Sequence, residues 1–551
     1  MKIHFFLKAS VLIIICSLYF NSSQAQSLES KIDKILSNQF KSNETGVSAL
    51  VAKDGKILYR KAFGKANLEL NVNMTSENVF EIGSITKQFT SISILMLLEE
   101  DKLSLEDEIT KFIPDYPTNG KKITIHHLLT HTSGIKSYTS MQSFGKVMTI
   151  DETPLKFIDF FKNEPMDFDP GEKYLYNNSA YFILGYIIEK VSGISYPKFI
   201  QERIFDKIDM KSSYYGSHTK LIKNRASGYE KTDEFVNAQY ISLTLPYAAG
   251  SIMSSVDDML KWQTAIHTNV FVKKETINKA FTNYTLNNGD KINYGYGWSL
   301  NEINDVPTIE HGGAIPGYLS MGIFVPSENV YVIVFSNCGC QSPEAKALEI
   351  AALTINKPKF EISSAVKLST EQLNNWVGTY AFDNHILRFI TLKDGQLFSQ
   401  REGSPELFKI YPTSANSFSF EEGFISYDFS LKDGKKVALF KNRINKEIGV
   451  FTDKEAPKEQ EIITVSSDVL KTYEGVFEIQ PGFDLTITAK ENQLFAQATG
   501  QAQFELFASS ETKFFLKVVK AEVEFHKNEK GEIIALTLFQ GGNVMKAMKN
   551  N

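Results

Sequence analysis

Cysteine is scarce, with three residues in 551, at positions 16, 338 and 340. That excludes a disulfide-stapled scaffold, which needs several pairs to stand in for a core. A bridge between Cys338 and Cys340 would close a very small ring, so two free thiols at a strand end are expected. An excess of one charge is also missing. Lys and Arg total 59 against 64 Asp and Glu, a formal net charge of −5. Nothing in that balance favours nucleic acid or an anionic membrane as partner. Metal-ligand clusters are absent as well. His127 and His131 have ligand spacing for a helix, but no glutamate follows His127 and no third ligand is evident. A helix ending at Gly134 explains the segment better, and neither metal nor cofactor is expected. The apolar run from Val11 to Phe20 is too short to span a bilayer. With Lys2 and Lys8 before it and the small residues Ser23 and Ala25 after it, residues 1–25 read as an export signal cleaved after Ala25. Ile15 stands where a lipobox needs a small residue, so Cys16 leaves with the signal. The mature chain is then expected in the periplasm or secreted, without stable membrane insertion.

What remains is too long for one core, and several domains are expected. The chain is 42% hydrophobic, 22% charged and 12% aromatic, ordinary for a globular protein, with aromatics suited to strand-rich domains.

The stretch Phe80-Glu81-Ile82-Gly83-Ser84-Ile85-Thr86-Lys87 organises the first part. Phe89, Ile92, Leu95 and Leu98 follow at a spacing that buries one side of a helix. Ser84 then lies in its first turn, near the positive end of the dipole. Lys87 sits one turn on, on the same face. Such a pair can serve as nucleophile and base in acyl transfer. Ser-x-x-Lys alone is common, recurring at Ser143/Lys146, Ser195/Lys198, Ser217/Lys220, Ser364/Lys367 and Ser510/Lys513. Gly83 and the long apolar helix set Ser84 apart.

Residues 27–40 read as a short amphipathic helix. Asp54-Gly55 between two apolar runs is a hairpin signal. From Asp101 to Ile204 the pattern is mainly helical. Pro170-Gly171 leads into a loop in which Tyr176 and Asn178 point the same way, and an apolar helix follows from Tyr181 to Val191. Late strands surround Thr308-Ile309-Glu310-His311-Gly312-Gly313-Ala314, with a hairpin at residues 326–329 and a helix from Pro343 to Ile355. Strands at both ends with helices between predict an α+β domain, one antiparallel sheet covered by helices, over residues 26–356.

Residues 357–370 read as a linker, after which short strands replace helices. Trp376-Val377-Gly378-Thr379-Tyr380 is echoed by Tyr473-Glu474-Gly475-Val476-Phe477. Leu392-Lys393-Asp394-Gly395-Gln396-Leu397-Phe398 is echoed by Ala489-Lys490-Glu491-Asn492-Gln493-Leu494-Phe495. Two repeats are expected, 371–452 and 467–551, each about the size of a small antiparallel barrel, with a charged linker at 453–466. Neither holds a catalytic constellation.

Ser84-x-x-Lys87, Tyr176-x-Asn178 and His311-x-Gly313, in that order, resemble the serine β-lactamase and penicillin-binding-protein-like hydrolases. The nearer resemblance is to the class C β-lactamase-related group that includes D-aminopeptidase. Leu128 to Gly134 and Tyr247 to Ser255 also resemble segments of that group, and the repeats resemble the two lipocalin-like barrels of D-aminopeptidase. The resemblance implies that Ser84 is the acylated nucleophile and that Lys87 takes or stabilises its proton. Tyr176 would be the shared base and acid, its phenol pKa lowered by Lys87. Asn178 would hold the substrate amide and orient Lys87, and His311 would assist Tyr176 and the substrate's anionic end. The N–H groups of Ser84 and Ala314, beside Gly313, would form the oxyanion hole. His311-Gly312-Gly313 departs from the Lys-Thr-Gly of class C β-lactamases, which disfavours β-lactam hydrolysis. The expected function is a cell-envelope serine hydrolase acting on peptides or amides with D-residues, or on small esters. β-Lactamase is the alternative, and a non-catalytic ligand- or penicillin-binding protein the alternative from another class.

Overall fold

Asp54 and Gly55 both take positive φ, 52° and 73°, so the chain reverses in two residues between strands β1 (Val47–Lys53) and β2 (Lys56–Phe63). Four later strands complete a six-stranded antiparallel sheet: β3 (Ser299–Ile303), β4 (Val306–Ile315), β5 (Tyr318–Val325) and β6 (Val330–Ser336), in the order β3-β4-β5-β6-β1-β2. The two ends of the domain therefore meet at the β6–β1 pair, where Val47 faces Ser336 and Lys53 faces Val330. This computed structural model describes residues 28–383, 386–455 and 462–550. The residues expected to form an export signal, Cys16 among them, lie outside these.

Alternation along β2 directs successive side chains to opposite faces. Tyr59 and Lys61 both bond Asp33 on helix α1 (residues 28–39), at 2.8 and 2.7 Å. Arg60 points the other way and grips Asp257 with two bonds of 2.7 and 2.6 Å. Asp257 opens a helix on the opposite face, and between that helix and the sheet lies the largest core of the chain.

At the centre of that core runs helix α2 (Thr86–Glu99). The apolar spacing predicts burial of one side, yet every residue from Thr86 to Leu97 is buried. A helix enclosed on all sides must satisfy its own polar groups. Thr90 Oγ donates to Ala248 O at 2.7 Å and Ser93 Oγ to Phe89 O at 2.8 Å. Helix α3 (Asn178–Ser192) lies beside it, capped by the Asn177 side chain, which accepts from Ala180 N.

Two expectations need correction. The helix leading toward Gly134 is only Ile125–Leu129, because His131 takes a left-handed φ of 59°. His127 and His131 therefore do not share a helix face, and among the described residues no cluster of His, Cys, Asp and Glu could hold a metal. Cys338 and Cys340 are joined in a disulfide rather than free.

The chain divides into two compact units after Lys359. The second contains two closed antiparallel barrels of eight strands each, spanning Gly378–Thr452 and Gly475–Lys549. The repeat is visible in detail. Gln396 and Gln493, both just past a hairpin turn, donate to Ile410 O at 2.7 Å and to Leu506 O at 2.6 Å. Gly378 and Gly475 take φ of 147° and 154°, with Phe451 and Lys549 packed where a Cβ would stand. Among the described residues, no helix is long and apolar enough to cross a membrane.

Candidate active site

Between residues 78 and 97, Ser84 alone is not buried. It lies in a short 3-10 turn, Gly83–Ile85, that feeds directly into α2. Gly83 has a φ of +51°, and a Cβ there would lie 2.8 Å from Ala314 N. Glycine thus lets the turn sit against β4. At Gly313 a Cβ would collide with Ile82 O and Ser320 Oγ, so the strand and the turn touch through backbone alone.

Lys87 is fully buried. Its Nζ is 3.0 Å from Ser84 Oγ, 2.8 Å from Asn178 Oδ1 and 2.8 Å from Ala249 O. Burial pushes its pKa well below the usual lysine value, since desolvation disfavours the charged form. Other Ser-x-x-Lys matches are built differently. Ser217 and Ser510 accept from the backbone N–H of Lys220 and Lys513 instead of meeting the amine.

Asn178 begins α3 and also donates to Thr139 Oγ1 at 3.2 Å. Tyr176 precedes that helix, and Lys87 Nζ lies 4.7 Å from its ring centroid. The Tyr176 hydroxyl is buried without a partner in hydrogen-bond geometry. Burial raises its pKa well above the ordinary phenol value, with the Ser84 hydroxyl pulling weakly the other way. This reverses the expected lowering by Lys87. Desolvation outweighs any help from Lys87, whose own charged form is disfavoured by the same burial.

His311 is buried on β4 with a pKa lowered to about 4 by desolvation and by Lys87. A carbonyl can only accept, so the 2.5 Å contact to Gly312 O places the proton on Nδ1. Nε2 then accepts from the Tyr294 hydroxyl at 3.0 Å. The ring is thus neutral at pH 7 and engaged with Tyr294, and its centroid is 6.1 Å from that of Tyr176. Its Nε2 is thus taken up by Tyr294, and the neutral ring carries no charge to offer a substrate's anionic end.

Strand register explains the oxyanion donors. Ile303↔Val306 and Ser299↔Glu310 pair β3 with the first half of β4, and Ile315↔Tyr318 closes a two-residue turn to β5. Odd positions of β4 then bond β5 and even positions face the other side. β3 pairs only as far as Glu310, so the even-numbered Gly312 and Ala314 present their N–H groups to an open edge beside Gly83–Ser84. The Ser84 amide belongs to the first helical turn, whose N–H groups have no intrahelical acceptor. Ser84, Lys87, Tyr176, Asn178, His311, Gly313 and Ala314 are thereby gathered in one region.

Sequence reasoning missed Tyr294, Ala249 and the role of His131. His131 Nδ1 accepts from Asn177 N at 3.0 Å, and its backbone C=O accepts from Leu175 N at 3.0 Å. Thr132 O accepts from Gly171 N at 2.8 Å. The segment after residue 129 therefore holds the Tyr176 loop in place, with the His131 ring 4.3 Å from that of Tyr176.

A family model described as Beta-lactamase matches residues 30–355, and a domain of unknown function matches residues 459–548. Penicillin-binding protein 4* of Bacillus subtilis (strain 168) is 25% identical over 523 residues, covering 91% of this chain and 94% of that protein. A putative penicillin-binding protein of the same organism is 30% identical over 321 residues, 57% of this chain and 77% of its own. The octameric penicillin-binding protein homologue from Pyrococcus abyssi superimposes with a TM-score of 0.54 at 27% identity, over 77% of this chain and 99% of that one. D-amino acid amidase from Ochrobactrum anthropi SV3 gives a TM-score of 0.53 at 24% identity, over 60% and 99%, a likeness of fold.

Proposed function

Because the chain belongs to the Beta-lactamase family, we propose that it is a serine hydrolase that forms an acyl-enzyme on Ser84, acting in the cell envelope on peptides or amides with D-residues or on small esters. The observation that carries this reading is the Lys87 amine, buried without a carboxylate partner and 3.0 Å from Ser84 Oγ. A neutral amine has two N–H groups and one lone pair. Asn178 Oδ1 and Ala249 O take the two N–H groups, which leaves the lone pair for the Ser84 hydroxyl proton.

In the reaction, Ser84 Oγ attacks the substrate carbonyl as its proton passes to Lys87. The resulting oxyanion is held by the N–H groups of Ser84 and Ala314. Tyr176, whose raised pKa keeps its phenol protonated, gives its proton to the leaving amine or alcohol, and the Lys87 ammonium then restores it. Water attacks the acyl-enzyme by the reverse proton path and frees Ser84. In acylation lysine is thus the base and tyrosine the acid, and in deacylation Tyr176 takes the proton of water as its own passes to Lys87.

His311 supplies no fixed charge for a β-lactam carboxylate, so peptide, amide and ester substrates are favoured over β-lactams. The alignment with penicillin-binding protein 4* along 91% of the chain supports a cell-envelope setting. Labelling with a fluorophosphonate and with a fluorescent penicillin tests the nucleophile. Ser84→Ala should lose all label, and a variant that labels like the parent would sink the assignment. Nitrocefin turnover at a rate comparable to ester hydrolysis would restore the β-lactamase reading.

A further inference from the structure

A polar cleft of about 330 Å³ opens beside the β4–β5 turn, bordered by Glu81, Arg225, Gln239, Tyr240, Pro316 and Tyr318. Glu81 lies three residues before Ser84, and Pro316 lies two residues after Ala314. The cleft therefore adjoins the same two segments that carry both oxyanion donors.

Its place along the β4 edge gives it a direction. His311 with Tyr176 stands on one side of Ala314, and the cleft stands on the other, about 6.6 Å further along at the rise of an extended strand. A substrate carbonyl held at Ala314 expels its leaving group toward the acid that protonates it, which is Tyr176. The acyl part then extends toward Pro316 and the cleft.

Arg225 is the cationic side chain in that cleft, and it is held in place from behind. Its Nη2 donates to Glu81 at 2.7 Å and reaches His218 Nδ1 at 3.4 Å, while Nη1 donates to Ser217 O at 3.2 Å. His218 is turned by its own bond from Nε2 to Ile241 O at 2.9 Å, which leaves Nδ1 as the acceptor facing Arg225. Glu81 is 5% exposed while the Arg225 side chain is 25% exposed, so the arginine rather than the carboxylate meets an incoming group. A guanidinium has five N–H donors in a rigid fork; three of them serve Glu81, His218 and Ser217, and the others are donors a ligand carboxylate in the cleft can engage beside the Tyr318 hydroxyl. Gln239 and Asn237 add carboxamides at the rim.

We propose that this cleft is the acyl-side subsite of the Ser84 centre and that Arg225, positioned by Glu81 and His218, selects substrates whose acyl part carries a carboxylate. The inference rests on the reading of Ser84 as nucleophile. It also relocates the anion-recognising group from His311, which is neutral, to the far side of the oxyanion hole.

Three p-nitrophenyl esters of matched length test it on the purified chain: the monoester of adipate, the hexanoate and the 6-aminohexanoate. The kcat/KM for adipate should exceed that for hexanoate by about tenfold, the scale of one charge-assisted hydrogen bond, and 6-aminohexanoate should be the poorest. The preference should shrink with added salt and reside in KM. Arg225→Gln alone would strand a buried carboxylate, so the double variant Glu81→Gln/Arg225→Gln is the one to read. Its adipate-to-hexanoate ratio should fall to about one. In His218→Ala the ratio should fall part of the way, whereas loss of packing alone would lower both esters together. A parent that prefers hexanoate or the cationic ester, or a double variant that keeps the adipate preference, overturns the subsite while leaving Ser84 as nucleophile. Absence of Ser84-dependent turnover of any of the three overturns both.

Discussion

At the scale of single residues the site turns on the charge state of Lys87. Asn178 Oδ1 and Ala249 O accept from its amine, yet burial holds its pKa well below 10.5. In the unfolded chain the same lysine stays protonated up to its ordinary value. The unfolded state therefore binds more protons between the two values, and folding stability must rise with pH through that window. In Lys87→Met this contribution vanishes. The stability difference, parent minus variant, should grow by up to about 1.4 kcal/mol per pH unit from the depressed folded-state pKa up to the ordinary lysine value. Chemical denaturation at several pH values measures it, and two parallel curves would show that Lys87 is charged in the folded protein. The variant should also fail to label at Ser84. Sequence spacing put Ser84 and Lys87 on one helical turn, and that much was legible. The direction of the Tyr176 shift was not, because it depends on how dry the site is. The groups packed on Lys87 are Ala249, Asn178 and the Tyr176 and Tyr181 rings, all far along the chain from it.

At the scale of elements, the meeting of the Gly83–Ile85 turn with the β4 edge decides whether two amides converge. Gly313 shows how little room there is, since a Cβ would strike the Ile82 carbonyl and the Ser320 hydroxyl, itself bonded to Ile82 O at 2.9 Å. Gly313→Ala should push β4 from the turn, costing about 1–3 kcal/mol as overpacking and about a hundredfold in acylation rate through the displaced Ala314 donor. Gly312→Ala is the control on the same strand. A Cβ there meets only Ser320 O and Met321 Sδ at 3.5 and 3.6 Å, so stability should change by less than about 0.5 kcal/mol. Equal effects in denaturation and in burst kinetics would refute the argument. Hairpins and the sheet's assembly from both ends of the domain were legible, because Asp-Gly turns and period-2 apolar runs are local signals. The helix toward Gly134 was misjudged for a non-local reason. Residues 131–134 leave helical geometry to bond Gly171, Leu175 and Asn177, partners about 40 residues away.

At the scale of the molecule, the chain divides where its composition changes. The core around α2 draws only on residues before Lys359, and each barrel has its own closed core. Aromatic pairs anchor both barrels. Trp376 stacks on Phe429 at 5.4 Å in the first, and Tyr473 on Phe525 at 4.4 Å in the second. The repeat was legible because turn chemistry and strand spacing recur, and Gln396 and Gln493 keep one hydrogen-bonding habit despite different turns. Barrel closure was legible only as a size, since it rests on first-to-last pairs such as Tyr380↔Phe451 and Phe477↔Lys549. Separate cores in the two units, and closed barrels in the second that leave no long edge unpaired, argue that the units fold independently. A chain of residues 360–551 should therefore melt cooperatively with strand-rich circular dichroism, and residues 26–359 should still be labelled at Ser84. Gln396→Ala should lower the stability of the 360–551 chain by about 1 kcal/mol and leave the labelling rate of the full-length protein unchanged. If residues 26–359 are folded but unlabelled, the site described above is incomplete without the barrels. Restoration of labelling when residues 360–551 are added back would then assign the barrels a part in acylation.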